Sequence, residues 1–192
     1  MRAESTDFLS ILRRRCGSEE VLAATLGALE EELGGGRTSE SLNALAAIAL
    51  IKRGLDAQTL AKGLKWEEFE EFCAGLFRAS GYEVTRNIVL RKPRLQIDIL
   101  ARSNEIALSV DCKQWRKTAG GSALMRFAKS QLARTEALRA KNMLGEAPCA
   151  SLILTLTEEA PRFVQGVAVV PIFSLRSFLG SLYEFRENLR LM

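Results

Sequence analysis

Twice within twenty residues the chain sets an acid inside a run that otherwise reads as a dry strand. The first run is Gln96-Ile97-Asp98-Ile99-Leu100-Ala101, and the second is Ile106-Ala107-Leu108-Ser109-Val110-Asp111-Cys112-Lys113-Gln114-Trp115. Side chains alternate faces along a strand, so Asp111 and Lys113 point the same way, about 6–7 Å apart. Paired as a hairpin around Arg102 to Glu105, the two runs bring Asp98 and Asp111 onto one face. Two carboxylates and a lysine on an apolar sheet are costly to bury without partners. A divalent cation is the partner that suits them.

The rest of the chain narrows the chemistry. It contains no histidine, which removes the Ser-His-Asp triad, the His-Glu-x-x-His zinc site and any histidine-metal nuclease. Acid–base work falls to carboxylates, lysine or metal-bound water. Cys16, Cys73, Cys112 and Cys149 are scattered, with no Cys-x-x-Cys spacing. They read as reduced thiols of an intracellular, cytoplasmic protein. No apolar run reaches the ~18 residues of a membrane span, and Glu4 and Asp7 precede any apolar stretch, unlike a signal peptide.

Periodicity divides the chain into a helical segment, 1–60, and an α/β domain, 61–192. Ser18 can cap a helix that runs to Leu33 and stops at Gly34-Gly35-Gly36; Thr38 or Ser39 can start another that stops at Gly54. A short helical turn follows to about Lys62. The apolar stripes of these helices and their acidic balance suit packing or dimerisation better than contact with DNA. Beyond them the pattern predicts helix 65–80, strands 82–90, 94–101 and 105–113, helix 121–141, strands 150–157 and 167–172, and helix 174–189. That order, αβββαβ with a further strand and helix, is a three-layer α/β plan around a mixed central sheet.

The acids and their setting resemble the PD-(D/E)XK, or restriction-endonuclease-like, nuclease superfamily, with Asp98 as first acid and Asp111-Cys112-Lys113 as the (D/E)-X-K element. Within it the chain looks most like the Mrr-like and archaeal Holliday-junction-resolvase-like endonucleases. Their core opens with a helix carrying a Phe-Glu pair and a Gly-Tyr turn into the first strand. Here the matching text is Trp66-Glu67-Glu68-Phe69-Glu70-Glu71-Phe72 and Gly81-Tyr82-Glu83-Val84. Ile97 stands where the motif name has Pro. The resemblance implies a Mg²⁺ (or Mn²⁺) site held by Asp98, Asp111, the main-chain carbonyl of Cys112 and Glu70, with Lys113 orienting or deprotonating the attacking water.

Helical angles add candidates. Trp66, Phe69, Phe72, Cys73, Leu76 and Phe77 form the stripe of the first core helix; Glu70 sits at its edge, with Glu67, Glu68 and Glu71 farther out and solvated. On helix 121–141 the stripe is Leu124, Phe127, Ala128, Leu132, Thr135 and Leu138, and Gln131 falls inside it. A buried amide must find partners, and the strand end bearing Lys113 and Gln114 is the expected place. Residues 102–148 hold nine basic and four acidic side chains, so the positive charge gathers beside the acids. That suits a polyanion. Arg116 and Lys117 past the motif, and Arg126, Lys129 and Arg134 on the helix, are the expected phosphate contacts.

The function this implies is a metal-dependent endonuclease acting on DNA in repair, recombination or restriction, as a homodimer associated with the nucleoid. Two other readings fit the same residues: a nuclease-fold protein that grips DNA without cutting, and an architectural subunit that recruits a partner.

Overall fold

The computed structural model describes residues 57–115, 119–156 and 160–192, together with Ala47. The two helices expected within 18–33 and 38–54 lie, apart from Ala47, outside the described residues. The chain divides into two compact units, Met1–Gly75 and Leu76–Met192.

In the first unit, α1 (Ala57–Lys62) buries Leu60 and Ala61. Helix α2 (Trp66–Ala79) begins here, where the Lys65 main-chain N–H donates to Glu68 Oε2 at 2.7 Å. Glu68 thereby satisfies one of the helix's orphan donors, as the third residue of a capping box does. It is buried rather than solvated, contrary to the angular expectation, because a cap folds back over the helix end. Phe69, Phe72 and Cys73 are fully buried, while Trp66 is 39% exposed. The stripe starts one turn later than expected, and the Trp66 ring rests against Phe69 at 6.3 Å.

The second unit is built on six strands: β1 (Glu83–Arg91), β2 (Arg94–Arg102), β3 (Ala107–Lys113), β4 (Cys149–Thr155), β5 (Arg162–Val164) and β6 (Val167–Pro171). Their order across the sheet is β1-β2-β3-β4-β6-β5. The first three are antiparallel neighbours, β3, β4 and β6 run parallel, and β5 returns antiparallel on the edge. The mixed α/β architecture expected from the sequence is the one observed. Antiparallel neighbours need only tight turns: at the β2–β3 turn, Ser103 Oγ accepts the N–H groups of Glu105 and Ile106. The parallel step from β3 to β4 needs a crossover, and α3 (Gly121–Ala140) supplies it.

Helix α3 holds the sheet through two apolar clusters. Leu124, Ala128 and Leu132 pack on Ile153, Val167 and Val169; farther along, Leu138 joins Leu100, Ala107 and Cys149. Each such leucine contributes about 1.5–3 kcal/mol of burial. Between the clusters runs a polar seam, and the site lies on it.

Two features depart from the sequence expectation. Strand β5 was not anticipated. It pairs Val164 with Val167 around Gln165 (φ 53) and Gly166 (φ 79), a two-residue turn with both central residues left-handed, the geometry that fits hairpin twist. Three residues are too few to show a period. The expected helix 174–189 is a 3-10 turn (Ile172–Ser174), then α4 (Leu175–Gly180), then a second 3-10 turn (Arg186–Asn188). Phe178 and Phe185 stack at 5.5 Å. Seven residues of straight helix would separate them by about 10.5 Å, so the chain folds back after Gly180.

Candidate active site

Strands β2 and β3 pair from Arg102 opposite Ala107 to Ile99 opposite Val110, and the same register sets Asp98 across from Asp111. The hairpin thus delivers the two acids to one place, as the alternation required. There the ladder stops: instead of a main-chain carbonyl, Asp98 Oδ2 accepts the Cys112 N–H at 2.8 Å. Beyond this point β3 continues beside β4, with Asp111 opposite Ile153 and Lys113 opposite Thr155. The acids therefore sit where two strand pairs diverge.

Both acids are nearly dry, Asp98 being 9% and Asp111 3% exposed. Burial pushes the Asp98 carboxyl above the usual aspartate range; the Cys112 N–H opposes this, the charge of Asp111 adds to it, and Lys113 and Arg134 oppose it. Lys113 Nζ lies 2.9 Å from both oxygens of Asp111, but only Oδ1 receives a hydrogen bond. Oδ2 is left buried without one. The Lys113 ammonium also lies 5.9 Å from the Phe127 ring centroid, and Phe127 packs on Trp115, so the lysine is held between the acid and an aromatic wall.

Helix α3 completes the arrangement through its polar seam. Gln131, with no exposed surface, donates from Nε2 to the Ser109 carbonyl at 2.7 Å and to Ser109 Oγ at 3.1 Å. Its Oε1 accepts from Arg134 Nη1 at 3.3 Å, and the same Nη1 donates to Asp111 Oδ1 at 3.1 Å. One turn on, Thr135 and Ser151 hydroxyls meet at 2.7 Å. Ser109 and Ser151 are register partners on β3 and β4, so the seam pins the helix across both central strands.

Two expectations change in detail. Gln131 reaches Ser109, not the end bearing Lys113 and Gln114, because its position on α3 lies over the middle of β3. Arg134 points onto Asp111 and is part of the acid cluster rather than a free phosphate contact. Arg126 and Lys129 are exposed on α3 as expected, while Arg116 and Lys117 lie outside the described residues. Glu70 is buried on α2, in the first unit. Sequence reading missed Ser109, whose signal was a lone hydroxyl in an apolar strand two residues before Asp111.

The donor set is all oxygen, which suits a hard cation such as Mg²⁺ rather than zinc, and the unsatisfied Asp111 Oδ2 is an oxygen that such a cation would engage. Among the described residues no three acid, cysteine or histidine side chains gather closely enough to hold a metal. A two-carboxylate site of this kind keeps open positions for water and substrate.

Residues 61–141, which contain Asp98, Asp111, Lys113, Gln131 and Arg134, match the Mrr catalytic-domain family, described as a restriction endonuclease. An uncharacterised protein of Archaeoglobus fulgidus is 27% identical over 125 residues, covering 64% of this chain and 95% of that one. The crystal structure of protein VC1899 from Vibrio cholerae aligns at TM-score 0.38 and 13% identity, over 98% of this chain but only 58% of that one. Among the described residues no helix is long and apolar enough to cross a membrane. Over residues 61–141 the chain is thus similar to the Mrr catalytic domain of the restriction-endonuclease-like family.

Proposed function

We propose that the chain is a Mg²⁺- or Mn²⁺-dependent endonuclease that hydrolyses DNA phosphodiester bonds. The observation that carries this is the meeting of Asp98 and Asp111 where β2 and β3 part, with Lys113 Nζ 2.9 Å from Asp111. Asp98 and Asp111 would hold the cation, with the Cys112 carbonyl as a further ligand. When bound, the cation supplies charge relief on the phosphate and a lowered pKa for water. Lys113 orients the attacking water and neutralises charge as it develops. Arg134, held by Gln131, would leave Asp111 for a phosphate oxygen when DNA binds. Arg116, Lys117, Arg126 and Lys129 would grip the backbone nearby. Symmetric cuts in two strands would suit a homodimer, assembled through the segment 1–60 and acting in the cytoplasm on the nucleoid; sedimentation of the full chain tests that assembly.

One observation favours a second reading, a protein that binds DNA and does not cut. Lys113 and Arg134 already neutralise Asp111. Incubating supercoiled, branched and single-stranded DNA with the full chain and Mg²⁺ or Mn²⁺ separates the two. Metal-dependent cleavage of any of them supports the enzyme; binding without cleavage under both metals supports the second reading.

A further inference from the structure

Strands β1 and β2 continue beyond the acids as a two-stranded ribbon. Pairing between them runs from Ile88 opposite Ile97 to Arg91 opposite Arg94, whereas β2 and β3 stop at Ile99 opposite Val110. At the ribbon's root the ladder skips Asn87, left-handed at φ 51, whose register position faces Asp98. Ile88, Leu90 and Ile97 anchor the ribbon in a cluster with Leu138 and Leu144. Val89, Arg91, Lys92, Pro93, Arg94 and Gln96 are exposed, and Leu95 is half-buried against that cluster.

The tip carries an unbalanced charge. Arg91 and Arg94 oppose each other directly, Lys92 sits in the turn between them, and residues 84–97 include no acid. Like charges directly opposite across an antiparallel pair destabilise it, and among the described residues no carboxylate pairs with any of the three. The apolar anchor holds this repulsion in place. A polyanion would relieve it.

We propose that the ribbon tip, Arg91, Lys92 and Arg94, is a separate nucleic-acid contact that grips the phosphate backbone of duplex DNA flanking the scissile bond. It rests on the reading of the Asp98–Asp111 pair as a nuclease centre. Arg94 stands four residues from Asp98, about 13 Å along the strand, which spans roughly four phosphates of one DNA strand. The contact would fix where the duplex lies across the acids without touching the reacting atoms.

The test uses the full chain with Ca²⁺ in place of Mg²⁺, fluorescence anisotropy on a labelled duplex, and a salt series. Replacing Arg91, Lys92 and Arg94 together by Gln should weaken binding about tenfold or more and make the salt slope shallower by about two to three. Mn²⁺ affinity by calorimetry should stay at the wild-type value. Arg91→Lys with Arg94→Lys should restore most of the affinity, since the contact is to charge. Unchanged affinity and slope in the Gln variant would overturn the ribbon assignment, and wild-type plasmid cleavage with Mg²⁺ would show that the nuclease reading survives it. Joint loss of DNA and Mn²⁺ affinity would overturn it as well, marking the ribbon as structural support. A wild-type chain that neither binds nor cleaves duplex DNA would overturn both.

Discussion

Asp98 Oδ2 takes the main-chain N–H of Cys112 at 2.8 Å, so the first acid of the site also closes the end of the β2–β3 ladder. One carboxylate thus has a structural duty and a chemical one, and substitutions can separate them.

An amide keeps an oxygen for the Cys112 N–H but loses the charge. Asp98→Asn should retain near-native stability and lose metal affinity, read by Mn²⁺ titration calorimetry. Asp98→Ala strands a buried N–H, which costs about 1–3 kcal/mol, and should lower the urea midpoint as well. Equal metal affinity in wild type and Asp98→Asn would make this acid purely structural.

Gln131 is the keystone of the polar seam. Gln131→Ala removes the partner of Ser109 and the bracket that holds Arg134 against Asp111. A loss of about 1–3 kcal/mol is expected, or roughly 2–4 °C in Tm per kcal/mol for a chain of this size. Thermal unfolding checks it; a Tm equal to wild type would mean water replaces the amide at no cost.

The β5–β6 turn offers a test away from the site. Gly166 is left-handed, and a Cβ there would lie 2.6 Å from Arg190 Cβ and 2.8 Å from its main-chain nitrogen. Arg190 cannot retreat freely, because its N–H donates to the Gly166 carbonyl and its guanidinium pairs with Glu136. Gly166→Ala should therefore destabilise by more than about 1 kcal/mol, seen as a lower denaturant midpoint. Gly145→Ala is the control: it shares a positive φ but has open space around it, so it should cost less.

These residues also show what the sequence could and could not reveal. Asp98, Asp111 and Lys113 were legible because a strand's two-residue period leaves a charge in a dry run conspicuous, and Gln131 because an amide broke a helical stripe. The partners of Gln131 and Arg134 were not legible, since they depend on how α3 lies across β3 and β4, which no local period encodes. Glu68 was misread because its carboxylate serves the start of its own helix, a capping contact that overrides its angular position. The fold-back after Gly180 escaped because Leu175, Phe178, Leu182 and Phe185 keep a helix-like spacing while ring stacking pulls the chain out of the helix.

Cys149 tests the burial of β4. Burial pushes its thiol up to about 11, against the opposing Ser109 N–H, Arg139 and Arg102. The neutral thiol is the form the fold favours. Its stabilising contribution is complete below the ordinary value of 9.0 and is lost as pH rises through about 11. Alkylation near neutral pH, mapped by mass spectrometry, should leave Cys149 unmodified in the native chain and modify it in denaturant. Rapid native modification would contradict a sealed β4.

On the proposed reading, Asp111 and Lys113 carry metal-dependent phosphodiester cleavage on the face they share with Asp98. Asp111→Ala removes the carboxylate that Lys113 and Arg134 share, but Arg134 keeps Gln131 Oε1 and both retain partial access to water at 21% and 23% exposure, so the fold should survive. The decisive measurement is plasmid nicking with Mg²⁺ by the wild type, Asp111→Ala and Lys113→Ala, each shown to be folded and to bind DNA. Cleavage is expected from the wild type alone, with either substitution lowering the rate by at least about a hundredfold. Wild-type rates from both folded variants, purified free of other nucleases, would contradict it.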